Sequence, residues 1–512
     1  MTREMVQKIS ELRDRVARAE RGGSEKAREK HLSQGKLMVR DRLARLFDSG
    51  IVVEDGRLAG IERNLPGDAV VTCIGQVNGR DVAVIANDMT VKAGTWGYQS
   101  FEKIIQIQEL AARTGIPLVY LVDSAGARID DQFDCYLGKH AWGNVFYNQV
   151  QFSGVVPQVC AMFGPSPAGS AYVPALCDLI IMVDKAASAY LGSPRLVEMA
   201  TGEKVDAENM GGARMHCTIS GLGDMLVESE EQAIDAIRNY LSYLPGSWSE
   251  KPMDSEAAPP TEIRTPEEII PIHQNTSYDV HDLINSLIDG GSWFEIKELY
   301  APELTTGFAR LGGKAVGILA NNPAHKGGIL FSDSSDKGAR FIWLCNAFNV
   351  PLLFLQDISG YMIGSGVEKS GIIRHGAKLL FAVCEAKVAR IAVMVRKGYG
   401  GGYLAMSGGP TKPDAVLALP VAMPALMGPE AAVNAMHYNE IASLEGEERK
   451  AYIIQKRDHY AKDINPYGAV DRFFFDDIVE PNKLRDDLIA RFTIYSRRRY
   501  PRIERRNGVF PV

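Results

Sequence analysis

IPLVYLVDSAGARI (116–129) and VPLLFLQDISGYMI (350–363) are the two stretches from which the fold is read. Each starts at a proline, runs through consecutive apolar residues, and stops at an aspartate followed by a small-residue turn. An unbroken apolar run of this length, bounded by turn residues, reads as a strand buried on both faces, as in parallel sheets. The two lie 234 residues apart (350 − 116), and their surroundings repeat with them. VNGRDVAVIAND (77–88) matches LGGKAVGILANN (311–322) at the same offset, and VPQVCAMFGPSPAGSAY (156–172) matches VARIAVMVRKGYGGGYL (388–404) at 232. Three matches in one order indicate a duplicated domain.

The Asn-Gly pair at 78–79 between two β-rich runs signals a hairpin. SFEKIIQIQELAARTG (100–115) has apolar residues at 101, 104, 105, 107 and 110, the spacing of an amphipathic helix. LCDLIIMVD (176–184) is a further buried strand, and GPSPAGSAY closes a strand with a turn that leads into a helix. Strands alternating with helices define an α/β fold. The first 45 residues read as helix, with Leu12, Val16 and Ala19 on one face. KHLSQGKLMVRDRLARLFDSG (30–50) reads as a second helical stretch closing near Gly50. Residues 244–271 are rich in Pro, Ser and acid and lack periodicity. The expected division is therefore an N-terminal domain at 1–245, a linker at 246–268 and a C-terminal domain at 269–512.

The 512 residues include 57 basic and 63 acidic ones, for a net charge of −6, with 46% hydrophobic and 23% charged. That balance argues against wholesale disorder and against a general nucleic-acid binder. The seven cysteines form no CxxC pair, so no zinc ribbon, redox motif or disulfide framework is expected, and no metal. They read as buried small hydrophobes. The first residues carry no apolar signal-peptide core. The longest stretch free of Asp, Glu, Lys and Arg, 140–177, holds four prolines and four glycines, too many for a spanning helix. A soluble cytoplasmic protein without membrane insertion is expected.

The chemistry-bearing features are two glycine-rich turns at equivalent places, Pro167-Ala168-Gly169-Ser170-Ala171 and Tyr399-Gly400-Gly401-Gly402-Tyr403. Small residues permit close backbone approach, and the first N–H groups of a following helix have no intrahelical partner. Two such groups can hold an oxyanion, so one turn per repeat gives two oxyanion holes. The turns Asp-Ser-Ala-Gly-Ala-Arg (123–128) and Asp-Ile-Ser-Gly-Tyr (357–361) lie at strand C-termini, which line ligand crevices in open α/β folds. Asp123 and Asp357 read as turn or capping residues, and His216 and His375 as structural histidines. The segment from Ser370 either covers the site or begins a packed helix. There is no GxSxG, HExxH or Walker A sequence. Donors without titratable partners suit enolate chemistry in which substrate or cofactor supplies the base.

On these residues the chain resembles the β (carboxyltransferase) subunit of biotin-dependent acyl-CoA carboxylases of the propionyl-CoA and 3-methylcrotonyl-CoA type. The resemblance rests on His31-x3-Gly35-Lys36 with the Arg-Asp-Arg at 40–42, DSAGARI (123–129), and FYNQ (146–149) with VVPQ (155–158). It continues through GPSPAGSAYVPAL (164–176), TGEKVDAENMGGARMHCTISG (201–221), TGFARLGGKAVGILANN (306–322), KGARFIWLCNAFNVPLLFLQD (337–357), GIIRHGAKLL (371–380) and RKGYGGGY (396–403).

The resemblance implies two tandem crotonase-like (ClpP/crotonase) carboxyltransferase domains. It implies acyl-CoA on the N-terminal domain and biotin entering from the C-terminal domain of a partner subunit, in a homohexamer built as a trimer of dimers. Carboxybiotin comes on a separate carrier protein, since no Ala-Met-Lys-Met site is present, and a biotin carboxylase subunit completes the enzyme. The coenzyme A thioester enolate takes up CO2, with backbone N–H groups of Ala168, Gly169 and Ser170, and of Gly401 and Gly402, as donors. Ser124, Ala125, Gly126, Ala127, Tyr172, Tyr403 and Leu404 fall in the substrate-binding motifs. Leu404 stands where propionyl-type members carry Asp. Competing readings are the α subunit of a sodium-pumping acyl-CoA decarboxylase, a crotonase-type hydratase or isomerase, and a non-catalytic scaffold.

Overall fold

The Asn78-Gly79 turn takes positive φ at both residues (51° and 74°), the geometry that matches strand twist in a two-residue hairpin. In the computed structural model, which describes residues 2–138, 141–497 and 509–511, this hairpin lies in a seven-stranded sheet. Its strands are β1 (Ile51–Asp55), β2 (Val70–Val77), β3 (Arg80–Asn87), β4 (Leu118–Val122), β5 (Gln158–Met162), β7 (Leu179–Val183) and β9 (Met225–Val227), in that spatial order. The first three pair antiparallel and the rest parallel. Two short strands, β6 (Pro165–Pro167) and β8 (Ser188–Tyr190), stand apart as a parallel ribbon.

The chain divides into two compact units, Met1–Lys251 and Pro252–Val512. The second repeats the plan with β10 (Phe294–Ile296), β11 (Leu304–Leu311), β12 (Lys314–Asn321), β13 (Leu352–Ile358), β14 (Arg390–Tyr399), β15 (Ala415–Ala418), β16 (Met423–Ala425) and β17 (Asp477–Ile478). Here Gly312 and Gly313 turn the hairpin, and the pairing runs antiparallel twice and then parallel. The strand starts of β2, β3 and β4 recur in β11, β12 and β13 at the 234-residue offset (304 − 70, 314 − 80, 352 − 118).

Helix α1 (Arg3–Arg21) starts the chain. The stretch 30–50 differs from the single helix expected. It splits into α2 (Glu25–Ser33) and α3 (Val39–Leu46). Gly35 turns at φ 74°, Lys36 reaches Asp123, and the Leu37 N–H donates to Glu230 Oε2 at 3.1 Å, so tertiary bonds replace the helical ones between the two. Helix α4 (Tyr98–Thr114) buries Phe101, Ile104, Ile107 and Ala111 against Ile85, Leu118 and Tyr120 of the sheet. Fully burying a side chain of this size stabilises by about 1.5–3 kcal/mol. The helix Ser332–Ala347 takes the same place in the second unit.

Residues 246–251 fold onto the first unit, where the Trp248 N–H donates to Val155 O at 3.0 Å. Ser255 and Gly290 bond Gly313 and Pro259 within the second, so 252–268 runs along that unit without a helix before Pro266–Ile269. Six cysteines are buried and Cys384 is exposed. Among the described residues no helix is long and apolar enough to cross a membrane, and no group of three or more His, Cys, Asp or Glu is placed to hold a metal.

Candidate active site

Asp123 and Asp357 are buried ion-pair centres, not the turn or capping residues read from sequence. Each sits at the C-terminal end of the second parallel strand of its sheet, 234 positions apart. Lys36 Nζ holds both Asp123 oxygens at 2.9 and 3.0 Å, and Arg42, itself buried, adds a bond at 3.0 Å. Arg42 also grips Glu230 with two bonds of 2.7 Å and lies over the Phe163 ring. Arg396 Nε bonds Asp357 at 2.7 Å, with Lys397 Nζ 3.7 Å away. Burial pushes the Lys397 ammonium below its ordinary value. Each carboxylate charge is thus neutralised before the turn that follows it.

In the first unit that turn spends its amides almost completely. Ser124 N–H donates to Pro165 O at 3.1 Å, Ala125 N–H to Ala93 O at 2.9 Å, Gly126 N–H to Ser124 Oγ at 3.0 Å and Arg128 N–H to Trp96 O at 2.8 Å. Ala127 is the exception: its N–H has no acceptor among the described residues. Ser124 Oγ also donates to Gly94 O at 2.8 Å, so this buried hydroxyl braces the turn and faces no open space. The second unit repeats the pattern: Leu330 N–H donates to Gly360 O and Met362 N–H to Leu330 O, and Tyr361, placed like Ala127, keeps its N–H unpaired among the described residues.

The glycine-rich turns lie against these strand ends. β6 runs into the helical turn Ala168–Ala171, and β14 into the helix Gly400–Ala405. Gly169 and Gly401 are the second residues of these turns, where an N–H has no partner within the helix. Ala168 (φ 54°) and Gly400 (φ 53°) share one left-handed bend, which costs an alanine roughly 1–2 kcal/mol and a glycine little. A Cβ on Gly126 would lie 3.4 Å from Pro167 and 3.9 Å from Ser170 Oγ; one on Gly402 would come within 2.7 Å of Ile358 and 3.0 Å of Gly360. Each turn therefore abuts its strand end. The N–H groups of Ala127 and Gly169 in the first unit, and of Tyr361 and Gly401 in the second, are therefore the candidate donors.

Ser170 Oγ donates to Pro167 O, and Ser166 Oγ to Ser170 O at 2.9 Å, stiffening the first turn. Tyr172 is half-exposed and meets Phe146 edge-on at 6.3 Å, and Phe146 meets Trp142 edge-on at 4.9 Å, an aromatic wall behind Gly169. In the second unit an open cavity of about 190 Å³ is lined by Tyr361, Gly401 and Leu404 together with Ile372, Ile373 and Leu380. The segment after Ser370 thus begins a packed helix, Ile372–Glu385, whose side chains line this cavity. A larger cavity of about 1190 Å³ shares Gly401 and Leu404 with it and is lined by Tyr403 as well. Tyr403 Oη accepts the Gly409 N–H at 2.9 Å. Burial pushes the Tyr361 phenol up to about 12, so it stays neutral.

Neither donor pair includes a carboxylate or imidazole. Such an arrangement can hold an anionic oxygen but supplies no base of its own. The sequence places Tyr361 in the crevice turn 357–361 but does not single out its amide, although its offset from Ala127 marks it, and gives no sign of Trp142. Glu230 carries no local signal, because it meets Arg42 from 188 positions away.

The carboxyl transferase domain matches residues 30–510 of this chain. The uncharacterized carboxylase YngE of Bacillus subtilis (strain 168) is 52% identical over 504 residues, 98% of this chain and 99% of the relative. The propionyl-CoA carboxylase carboxyltransferase subunit of Haloferax mediterranei is 38% identical across 99% of this chain and 100% of its own length. Among solved structures, transcarboxylase 12S with methylmalonyl-coenzyme A and methylmalonic acid bound superposes with a TM-score of 0.93 at 36% identity, covering 100% of this chain and 99% of that one. The chain belongs to the carboxyl transferase domain family, that of the carboxyltransferase subunits of biotin-dependent acyl-CoA carboxylases.

Proposed function

We propose that the chain transfers a carboxyl group from biotin to an acyl-CoA, as the carboxyltransferase subunit of an acyl-CoA carboxylase with two tandem crotonase-like domains. The observation that carries this reading is the duplicated pair of unpartnered N–H groups, Ala127 with Gly169 and Tyr361 with Gly401. One pair takes the thioester oxygen as the enolate forms, and the other takes the biotin carbonyl oxygen. Losing one such donor costs about 3–4 kcal/mol of transition-state stabilisation. Ala168 and Ser170 shape the first turn and Gly402 the second.

The residues present fit biotin on the second unit. An apolar cavity lined by Ile372, Ile373, Leu380 and Leu404 adjoins the Tyr361 and Gly401 amides, which suits a compact apolar ring with one carbonyl. When bound, biotin supplies the activated carboxyl group and a ureido nitrogen that can take the α-proton, which matches the missing side-chain base. It arrives on a separate carrier, with a biotin carboxylase as partner. The aromatic wall of Trp142, Phe146 and Tyr172 and the Ser124–Ala127 turn receive the acyl-CoA. The assembly is a homohexamer in the cytoplasm.

The test is the reverse half-reaction: purified protein, free biotin, and methylmalonyl-CoA or 3-methylglutaconyl-CoA, following loss of the carboxyl group. Turnover of either is expected. Preference for methylmalonyl-CoA assigns a propionyl-type enzyme and shows that Leu404 admits a short acyl chain; the opposite preference assigns the methylcrotonyl type. A folded hexamer without activity on these or other carboxylated acyl-CoAs would overturn the reading and leave a scaffold.

A further inference from the structure

The two glycine turns are carried differently. In the second unit β14 is one continuous strand up to Tyr399, and β16 pairs with its end, so Gly401 is borne by the main sheet. In the first unit the equivalent path breaks after Met162. The turn is borne by β6, whose only strand partner among the described residues is β8, paired at Pro165↔Ser188, Ser166↔Ala189 and Pro167↔Tyr190. A two-stranded ribbon is marginal by itself, so something else must hold it.

The motif 201–221, to which the donor pairs assign no role, packs along the free edge of β8. Gly212 bridges Ser188, and the Ala213 N–H donates to Ala187 O at 3.0 Å. His216 then opens a one-turn π-helix, His216–Ser220, a form that often marks functional positions. Its Nε2 is 2.8 Å from Ala189 O, and its Nδ1 is 2.7 Å from Ser220 Oγ. A carbonyl oxygen only accepts, so Nε2 carries the proton. In the neutral ring Nδ1 then accepts from the Ser220 hydroxyl.

We infer that His216 is a positioning residue for the first oxyanion hole. Its Nε2–H pins the Ala189 carbonyl, β8 holds β6 through Ser166, and β6 sets the direction of the Gly169 N–H. The inference rests on the oxyanion reading of that turn, but the clamp can be measured apart from it.

The experiment compares His216→Gln, which keeps a donor at the Nε2 position, with His216→Asn, which keeps only the Nδ1 position. Both are made in the full chain, with circular dichroism and hexamer formation as controls. Hydrogen exchange of the peptide covering 163–176 is read first. His216→Asn is expected to speed exchange there at least tenfold, while His216→Gln stays within about threefold of wild type. In the reverse half-reaction His216→Asn is expected to lower kcat at least tenfold with KM for the acyl-CoA changed less than twofold, and His216→Gln to restore most of kcat. Equal exchange in wild type and a folded His216→Asn would overturn the clamp, as would a Gln variant no better than Asn. Lack of turnover by the wild type would instead fail the oxyanion reading and leave the exchange result standing.

Discussion

The same buried aspartate is neutralised from opposite directions in the two units. In the first, the segment ahead of the sheet sends its side chains in: Lys36 and Arg42 come from the bend and helix at 34–46 and meet Asp123. In the second, the strand sends a side chain out. Arg396 of β14 bonds Asp357 and then reaches the carbonyls of Pro271, His273 and Thr276 in the segment ahead of that sheet, with its guanidinium over Tyr278. The position of Arg396 in the repeat is Gly164 (396 − 232), where a Cβ would fall onto the Asp123 carboxylate. One unit leaves a hole and fills it from the N-terminal segment; the other fills it in place. The lesson is that duplication keeps the need, a compensated charge under the oxyanion turn, and not the residues that meet it.

This contrast can be broken, and the largest effect is expected at Arg42. Arg42→Met leaves Asp123 and Glu230 buried with one cation between them, and removing one partner of a buried pair costs about 3–5 kcal/mol. Thermal unfolding should show the first unit destabilised. If Arg42→Met melts like wild type, the inward wiring carries no weight.

The pH dependence should separate the units next. His281 bonds Asp279 and Glu295 at 2.6 and 2.7 Å, and these acidic partners push its pKa up to about 9 from 6.5. The folded state binds the extra proton between these values, so this stability is present below about pH 6.5 and is lost as pH rises through 9. Lys337 has the opposite sign. It is buried among the Lys297, Tyr300 and Ala301 carbonyls, and burial pushes it down to about 7 from 10.5. The unfolded state binds more protons there, so stability rises from about pH 7 to 10.5. Lys103, its counterpart in the first unit, is pushed down to about 8. Phe47 stands where a His281 counterpart would be (281 − 234). Denaturant unfolding of His281→Gln across pH 6–10 should therefore show a steeper rise than wild type. No change in slope would remove the ion triad from the account.

The smallest effects are expected within the two charge clusters. Lys36→Ala, which deletes two bonds to Asp123, should cost about 1–3 kcal/mol. Lys397→Ala, whose Nζ stands 3.7 Å from Asp357 beside an intact Arg396, should cost less than Lys36→Ala. Equal losses, measured as midpoint shifts in urea, would mean that the two lysines do the same job.

The sheet cores were legible because apolar runs and an Asn-Gly turn are local signals, and the duplication because three runs kept one offset. The glycine turns were legible as candidate donors. The Ala127 N–H could not be singled out from Ser124, Ala125 and Gly126, because only the fold shows which amides are already spent. The break at 34–38 was illegible for the same reason: Lys36 and Leu37 leave the helix for Asp123 and Glu230, partners far along the chain. Asp123 and Asp357 look like turn residues locally and become ion-pair centres only when distant cations arrive.

The oxyanion role rests most directly on the Gly401 N–H. Gly401 is the second residue of its helix, where proline is tolerated and lacks only the N–H, and a Cβ there meets nothing nearer than Tyr361 at 3.8 Å. The measurement is kcat for carboxyl loss from the preferred carboxylated acyl-CoA with free biotin, in wild type, Gly401→Ala and Gly401→Pro. The prediction is near-wild-type turnover for alanine and a loss of about 10²–10³ for proline with the fold retained. Equal turnover in all three would contradict an oxyanion role for that amide.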